Sequence, residues 1–89
     1  MAKTTPNKEA VRRICLLSGG SFCYLLVDTG DEYVDVLSDL KQEALDNCQK
    51  ELESWCGMKF RVFTTQKNTT EDFIIRKIKS HGEKLWPDE

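Results

Sequence analysis

The stretch Ser38–Gly57, SDLKQEALDNCQKELESWCG, constrains the fold more than any other part of the chain. Leu40, Ala44, Leu45, Cys48, Leu52, Trp55 and Cys56 recur at spacings of three and four, with Lys41, Glu43, Asp46, Gln49, Lys50 and Glu53 on the other side. The spacing predicts an amphipathic helix with one apolar stripe. Ser38 is the expected N-cap, because a serine oxygen accepts an orphan amide hydrogen bond of the first turn, and Asp39 sits where the helix dipole favours an anion. Gly57 takes the left-handed conformation that ends a helix at little cost. Such a stripe needs a surface to cover, and the segments on either side read as strands.

A chain of 89 residues is one domain with room for a single small core. Burying the larger groups of the stripe, at roughly 1.5–3 kcal/mol each, contributes about 10 kcal/mol or more before chain entropy removes most of it. That margin favours a protein partner or a homodimer. The formal charge of −2 disfavours nucleic-acid binding driven by net positive charge. The start, MAKTTPNKEAVRR, has no apolar run of signal length and no span long enough for a membrane, so a cytoplasmic protein without a membrane partner is expected. Cys15, Cys23, Cys48 and Cys56 lack the close CxxC pairing of zinc sites. Cys48 and Cys56 lie eight apart on one helix, about 12 Å along its axis, which excludes a disulfide between them. They read as reduced core residues, with no metal and no cofactor.

Residues 1–6 are polar and end in proline, a flexible tail before a single domain over 7–86, with 87–89 as a second tail. From Asn7 the chain starts a helix, NKEAVRRICLL, or becomes a strand at Val11. The Asn7 cap and the Glu9–Arg13 spacing favour the helix, with Ala10, Ile14 and Leu17 on one side. Gly19 and Gly20 break it, and SFCYLLVDT reads as a strand. TGDE makes a turn through Gly30 and Asp31, and EYVDVL is the return strand. There Tyr33, Asp35 and Leu37 alternate with Val34 and Val36, the pattern of a half-covered sheet. After the central helix, MKFRVFT alternates Met58, Phe60, Val62 and Thr64 against Lys59, Arg61 and Phe63. Thr70 caps a last helix, EDFIIRKIKSHGEKLW, with Phe73 or Ile74, Ile78, His81 and Leu85 inside; Gly82 weakens, kinks or ends it. The expected class is α/β (α+β): about three strands with two or three helices packed on one face, in the order α-β-β-α-β-α. If the strands flanking the central helix are parallel neighbours, their connection is a crossover.

Few constellations suit chemistry. Asp28, Asp31, Glu32 and Asp35 surround the turn, and Asp28 with Asp35 is the alternative metal pair, set against the ordinary abundance of aspartate in turns. Gly19-Gly20-Ser21 offers amides to a phosphate, but the strand that follows removes the helix N-terminus such a site uses, so it reads as a breaker. His81, the only histidine, would have to centre any Ser-His-Asp or Cys-His set, and its helical place suits a packed or boundary imidazole better.

LSGGS, a hydrophobic strand carrying VDV, a helix, the strand MKFRVF and a closing helix ending in HGEKLW together resemble a minimal nucleotidyltransferase domain of the kind found in bacterial antitoxins. That family has a glycine-serine pair, a D-x-D pair on the next strand and often a carboxylate on a later strand. Gly20 and Ser21 match the first motif and Asp35 the second aspartate. Tyr33 stands in place of the first aspartate, and Met58–Thr64 holds no carboxylate. The resemblance therefore implies a domain that has lost metal catalysis.

Lys59, Arg61, Lys67, Arg76, Lys77, Lys79 and Lys84 all fall in the C-terminal third, whereas acids dominate from Asp28 to Glu53. A chain nearly neutral in sum is thus polar in its parts, against the plainer reading of solvated helix faces. The expected function is a small non-enzymatic interaction or regulatory module, an inhibitor or antitoxin of the sort mobile elements carry, binding a host nucleic-acid-handling protein. Its expected contact residues are Lys59, Arg61, Phe63, Arg76, Lys77, Lys79, Lys84 and Trp86, and the large side chains Tyr24 and Tyr33 add surface that a monomer does not finish burying. The alternatives are a nucleotide- and Mg²⁺-binding nucleotidyltransferase-like domain, and a nucleic-acid binder through the basic C-terminal face.

Overall fold

A computed structural model of the chain describes residues 6–27, 32–65 and 72–86. The elements are α1 (Lys8–Leu17), β1 (Cys23–Val27), β2 (Tyr33–Ser38), α2 (Gln42–Cys56), β3 (Lys59–Thr64), α3 (Asp72–His81) and β4 (Glu83–Trp86). They form a small α+β domain whose mixed sheet has the strand order β3-β2-β1-β4. The β1–β2 and β1–β4 pairs are antiparallel, and β2–β3 is parallel, so α2 is the crossover that the central helix was expected to make. The turn expected at Gly30 and Asp31, and the Thr70 cap, lie outside the described residues.

Helix α1 forms where the Asn7 cap predicts it. The Asn7 side chain accepts hydrogen bonds from the amides of Glu9 and Ala10. Its inner face is Val11, Ile14 and Cys15, however, and Leu17 points outward. Glu9 pairs with Arg12, not Arg13, at 3.7 Å. The helix ends on Gly19 at φ 103°, where the Gly19 amide bonds the Leu16 carbonyl and the Gly20 amide the Cys15 carbonyl. This is the paired C-terminal closure that a glycine in the left-handed region makes possible.

The central helix begins later than its serine suggests. Ser38 completes β2 opposite Thr64, and its hydroxyl donates to the Phe22 carbonyl at 2.6 Å, so it is not the cap. The backbone stays extended to Lys41, the N-cap residue, which makes no side-chain cap bond, and Glu43 supplies the first-turn anion. Gly57 ends α2 at φ 65°, as expected. Of the predicted stripe, Leu40, Cys48 and Leu52 are buried and Ala44, Leu45 and Cys56 pack against them. Trp55 is 71% exposed, because the layer buries only one strip of the helix.

The helices do not share one face of the sheet. Helices α1 and α2 pack with Cys23, Leu25, Val34, Val36, Phe60 and Leu85, while Leu26, Leu37 and Ile78 form a second cluster under α3. Strand β2 is therefore covered on both sides, and five of its six residues are buried where alternation predicts half. The last segment is two elements, not one helix. The Gly82 amide closes α3 on the Ile78 carbonyl at 2.7 Å, and the chain turns into β4 along the free edge of β1. A Cβ at Gly82 would stand 2.5 Å from the Ile78 carbonyl oxygen and 2.8 Å from that of Leu25, so glycine is what lets this corner close on the sheet. Strand β4 hides in the sequence because EKLW is too short to show alternation. The outer edge of β3 is partly capped by the chain itself, since the Phe60 amide donates to the Glu53 carboxylate at 3.1 Å.

These two glycines separate conformational from steric demand. Gly57→Ala meets open space and loses about 1 kcal/mol through its positive φ alone. Gly82→Ala meets two carbonyls and is expected to lose more, about 2–3 kcal/mol, in urea denaturation. Equal losses at the two sites would refute the tight α3–β4 corner.

Candidate functional site

The β2–β3 register sets Asp35 opposite Arg61 and Tyr33 opposite Lys59. The Arg61 Nε donates to Asp35 Oδ1 at 2.9 Å, and the carboxylate side chain is only 11% exposed against 41% for the guanidinium. The Arg61 guanidinium also lies 5.0 Å from the Tyr33 ring centroid, and the Lys59 ammonium lies 5.8 Å from it while pairing with Glu32 at 3.7 Å. A nearly buried carboxylate is thus compensated within the sheet, and a divalent cation approaching it would meet the guanidinium already bound there. Among the described residues no three histidine, cysteine or acidic side chains are grouped to hold a metal ion. Asp28, the other half of the alternative metal pair, lies outside the described residues.

The Gly19-Gly20-Ser21 loop does bind an anion, and the anion belongs to the chain. The Ser21 amide donates to Asp39 Oδ1 at 2.7 Å and its hydroxyl donates to Oδ2. Burial pushes the Asp39 carboxyl up, but the Ser21 hydroxyl and amide outweigh it and hold the group below its ordinary value of 3.8. Asp39, expected at the start of the central helix, instead ties the α1–β1 loop to the β2–α2 junction. The loop also stands away from Asp35, which faces Leu26, three residues and roughly 10 Å into the strand that starts at Cys23, beyond the loop. The matched glycine-serine pair and the matched aspartate are not brought together.

The thiols are built for packing. Cys15, Cys23 and Cys48 are buried and free, and the Cys23 thiol donates to Cys15 Sγ at 3.3 Å. The hydrogen bond with Cys23, opposed by that with Cys48 and reinforced by burial, raises the Cys15 thiol far above its usual value; contact with Cys15 and burial do the same for Cys48. Thiols held protonated in this way are poor nucleophiles. His81, expected on the inner side of its helix, is exposed at the end of α3 instead, where the chain leaves the helix before the imidazole turns inward.

Among the described residues, the cations of the C-terminal third collect on one side of the sheet; Lys67 lies outside the described residues. Arg76, Lys77 and Lys79 are exposed on α3, with the Lys79 ammonium 5.9 Å from the Phe22 ring centroid. Lys84 stands opposite Tyr24, whose ring packs under α3, and Lys59, Arg61 and Phe63 share the sheet face that carries Leu37 of the same cluster. Trp86 ends β4 in register with Cys23 of β1. Sequence reasoning missed Phe73, which is 62% exposed. Its spacing of three and four from Arg76 and Lys77 was the available signal, once Ile74, Ile75 and Ile78 are taken as the inner set. The exposed acids Glu43, Asp46 and Glu51 of α2 lie in the layer on the opposite face.

Two outcomes follow from these contacts. Arg61→Ala strands a nearly buried carboxylate and is expected to lower stability by about 2 kcal/mol in urea titration, with Arg61→Lys intermediate; a change under about 0.5 kcal/mol would show the pair to be surface decoration. Because the folded-state value of Asp39 is depressed, its contribution is present above the ordinary carboxylate range and is lost as pH falls through the folded value. Asp39→Asn should therefore cost about 1 kcal/mol at neutral pH, and the gap from the unmodified protein should close near pH 3.

No protein-family model and no curated protein matches this sequence. Solved structures do match in fold. A mutant of the MntA–HpeT toxin–antitoxin pair, with two aspartates spaced D-x-D changed to glutamate, is similar over 93% of this chain and 75% of its own, with a TM-score of 0.73 and 13% identity. A protein from Shewanella oneidensis is similar over 91% of this chain and 70% of its own, with a TM-score of 0.70 and 16% identity. At these identities the likeness is one of fold, and it agrees at that level with the resemblance drawn from the sequence.

Proposed function

We propose that this domain is a non-enzymatic interaction module that regulates a protein partner in the manner of an inhibitor or antitoxin. The Asp35–Arg61 pair carries the proposal. The aspartate that matches a metal-holding position is tied to a guanidinium at 2.9 Å, its D-x-D companion is Tyr33, and β3 has no carboxylate to complete a set. Likeness in fold to a component of a toxin–antitoxin pair supports a regulatory role.

In its finer form the reading makes the partner a host nucleic-acid-handling protein and the domain a product of a mobile element. The contact surface is the α3 side: Arg76, Lys77, Lys79 and Lys84, with Lys59, Arg61, Phe63 and Trp86 from the strands and Phe73 as an added aromatic anchor. A cationic surface with an exposed aromatic fits an acidic protein face. Direct binding of a nucleic-acid backbone is the second reading, favoured by Phe73 beside Arg76 and Lys77.

Mg²⁺ with a nucleoside triphosphate should leave the melting temperature unchanged; a rise that Asp35→Asn abolishes would overturn the non-enzymatic reading. A pull-down from the native host should retain one partner that Arg76→Glu with Lys79→Glu releases. A labelled oligonucleotide whose affinity falls steeply with salt, and is lost in the same variant, would establish the second reading instead.

A further inference from the structure

On the face of the sheet opposite α3, helices α1 and α2 leave a groove along their outer surfaces. Its floor is apolar, formed by Ala10, Ile14 and Leu17 of α1 with Trp55 of α2 at one end. Its α2 wall is Glu43, Asn47 and Glu51, which continue at four-residue spacing into Trp55. Two hollows share Ile14, Leu17 and Glu51, so the groove is continuous along the helix pair. Leu17 is 79% exposed and Trp55 71%, the largest apolar exposures of the described residues. Surface of this kind on a small domain marks an interaction site.

We propose that this groove is a docking site for a basic amphipathic helix of a partner protein, separate from the basic α3 side. Helix geometry sets the shape: α1 has 10 residues and α2 15, about 15 and 22 Å long, so the groove takes about three to four turns of a third helix. Charge sets the chemistry. Three carboxylates, Glu9, Glu43 and Glu51, line it against one guanidinium, Arg13, and Glu9 is already paired with Arg12 at 3.7 Å. Among the described residues Glu43 and Glu51 enter no ion pair, so the wall carries an unpaired carboxylate on either side of Asn47. A helix with leucine-like groups at i, i+3, i+4 and i+7 would fill the floor and set its flanking lysines or arginines against that wall. A second copy of this chain fits less well, because the outer face of its basic helix α3 offers Phe73 as its one exposed large apolar group.

The probe is a fluorescein-labelled synthetic helix of about 14 residues with leucines at those positions and lysines elsewhere. Its controls are a scrambled peptide of the same composition and one with glutamate for lysine. In a Trp86→Phe background, saturable binding with a blue shift of Trp55 emission is expected, and the scrambled peptide should need about tenfold more protein or worse. Leu17→Glu, at an exposed site that leaves the helix intact by circular dichroism, should weaken binding about tenfold. Glu43→Lys with Glu51→Lys should reverse the preference toward the glutamate peptide. Arg76→Glu with Lys79→Glu on α3 should change nothing, which separates failure here from failure of the α3-side reading. Absence of saturable binding, equal binding of the scrambled peptide, or indifference to the Glu43 and Glu51 reversal would overturn the proposal. So would a homodimer in sedimentation velocity that Leu17→Glu dissociates, which would make the occupant a second copy.

Discussion

Burial of β2 on both faces is the constraint from which the rest of the domain follows. Val34 and Val36 anchor the α1–α2 layer and Leu37 anchors α3, while β1 and β3 satisfy the two edges of the same strand. Removing apolar surface from water in two layers is the largest stabilising term open to so short a chain. It also creates a debt, because Asp35 lies in the same doubly covered strand with a residue exposure of 8%. A carboxylate there must be compensated, and the parallel register with β3 delivers Arg61 to it. The feature that argues against metal chemistry is thus also a requirement of folding.

The same two-layer arrangement turns a charge pattern along the sequence into one across the molecule. The acids of α2 and the cations of α3 are held apart by the sheet, so one side shows an acidic, partly apolar groove and the other a basic surface with an exposed phenylalanine. Two unlike surfaces on one small scaffold suit a protein that joins or occupies partners. The polar groups suited to binding small anions are already engaged within the chain: Ser21 serves Asp39, and Ser38 and Thr64 hold the Phe22 and Leu40 carbonyls. These bonds fix the junctions between layers, where extended backbone would otherwise be left without partners.

Much of the fold was legible in residue spacing. The Asn7 cap, the glycine break after Leu17, both strands of the hairpin, the central helix to Gly57 and the alternating strand at Lys59–Thr64 all follow from local rules whose physics is short in range. Of the candidate site, the cationic character of the C-terminal third was legible, and so was the tyrosine, not a carboxylate, two residues before Asp35. The Asp35–Arg61 contact was not, since the two residues lie 26 positions apart and only strand register joins them.

Local patterning was therefore enough to name every element but the last strand, and the sign of the charge on each. It was not enough to place α3 on the far face, to turn Glu83–Trp86 into a fourth strand, or to choose which strip of α2 and α1 is buried. A helix with apolar residues on more than one flank does not choose its inner face; the neighbour that covers it does. Trp55 and Leu17 lie outside because Cys48, Leu52, Val11 and Cys15 had already filled the space between helix and sheet.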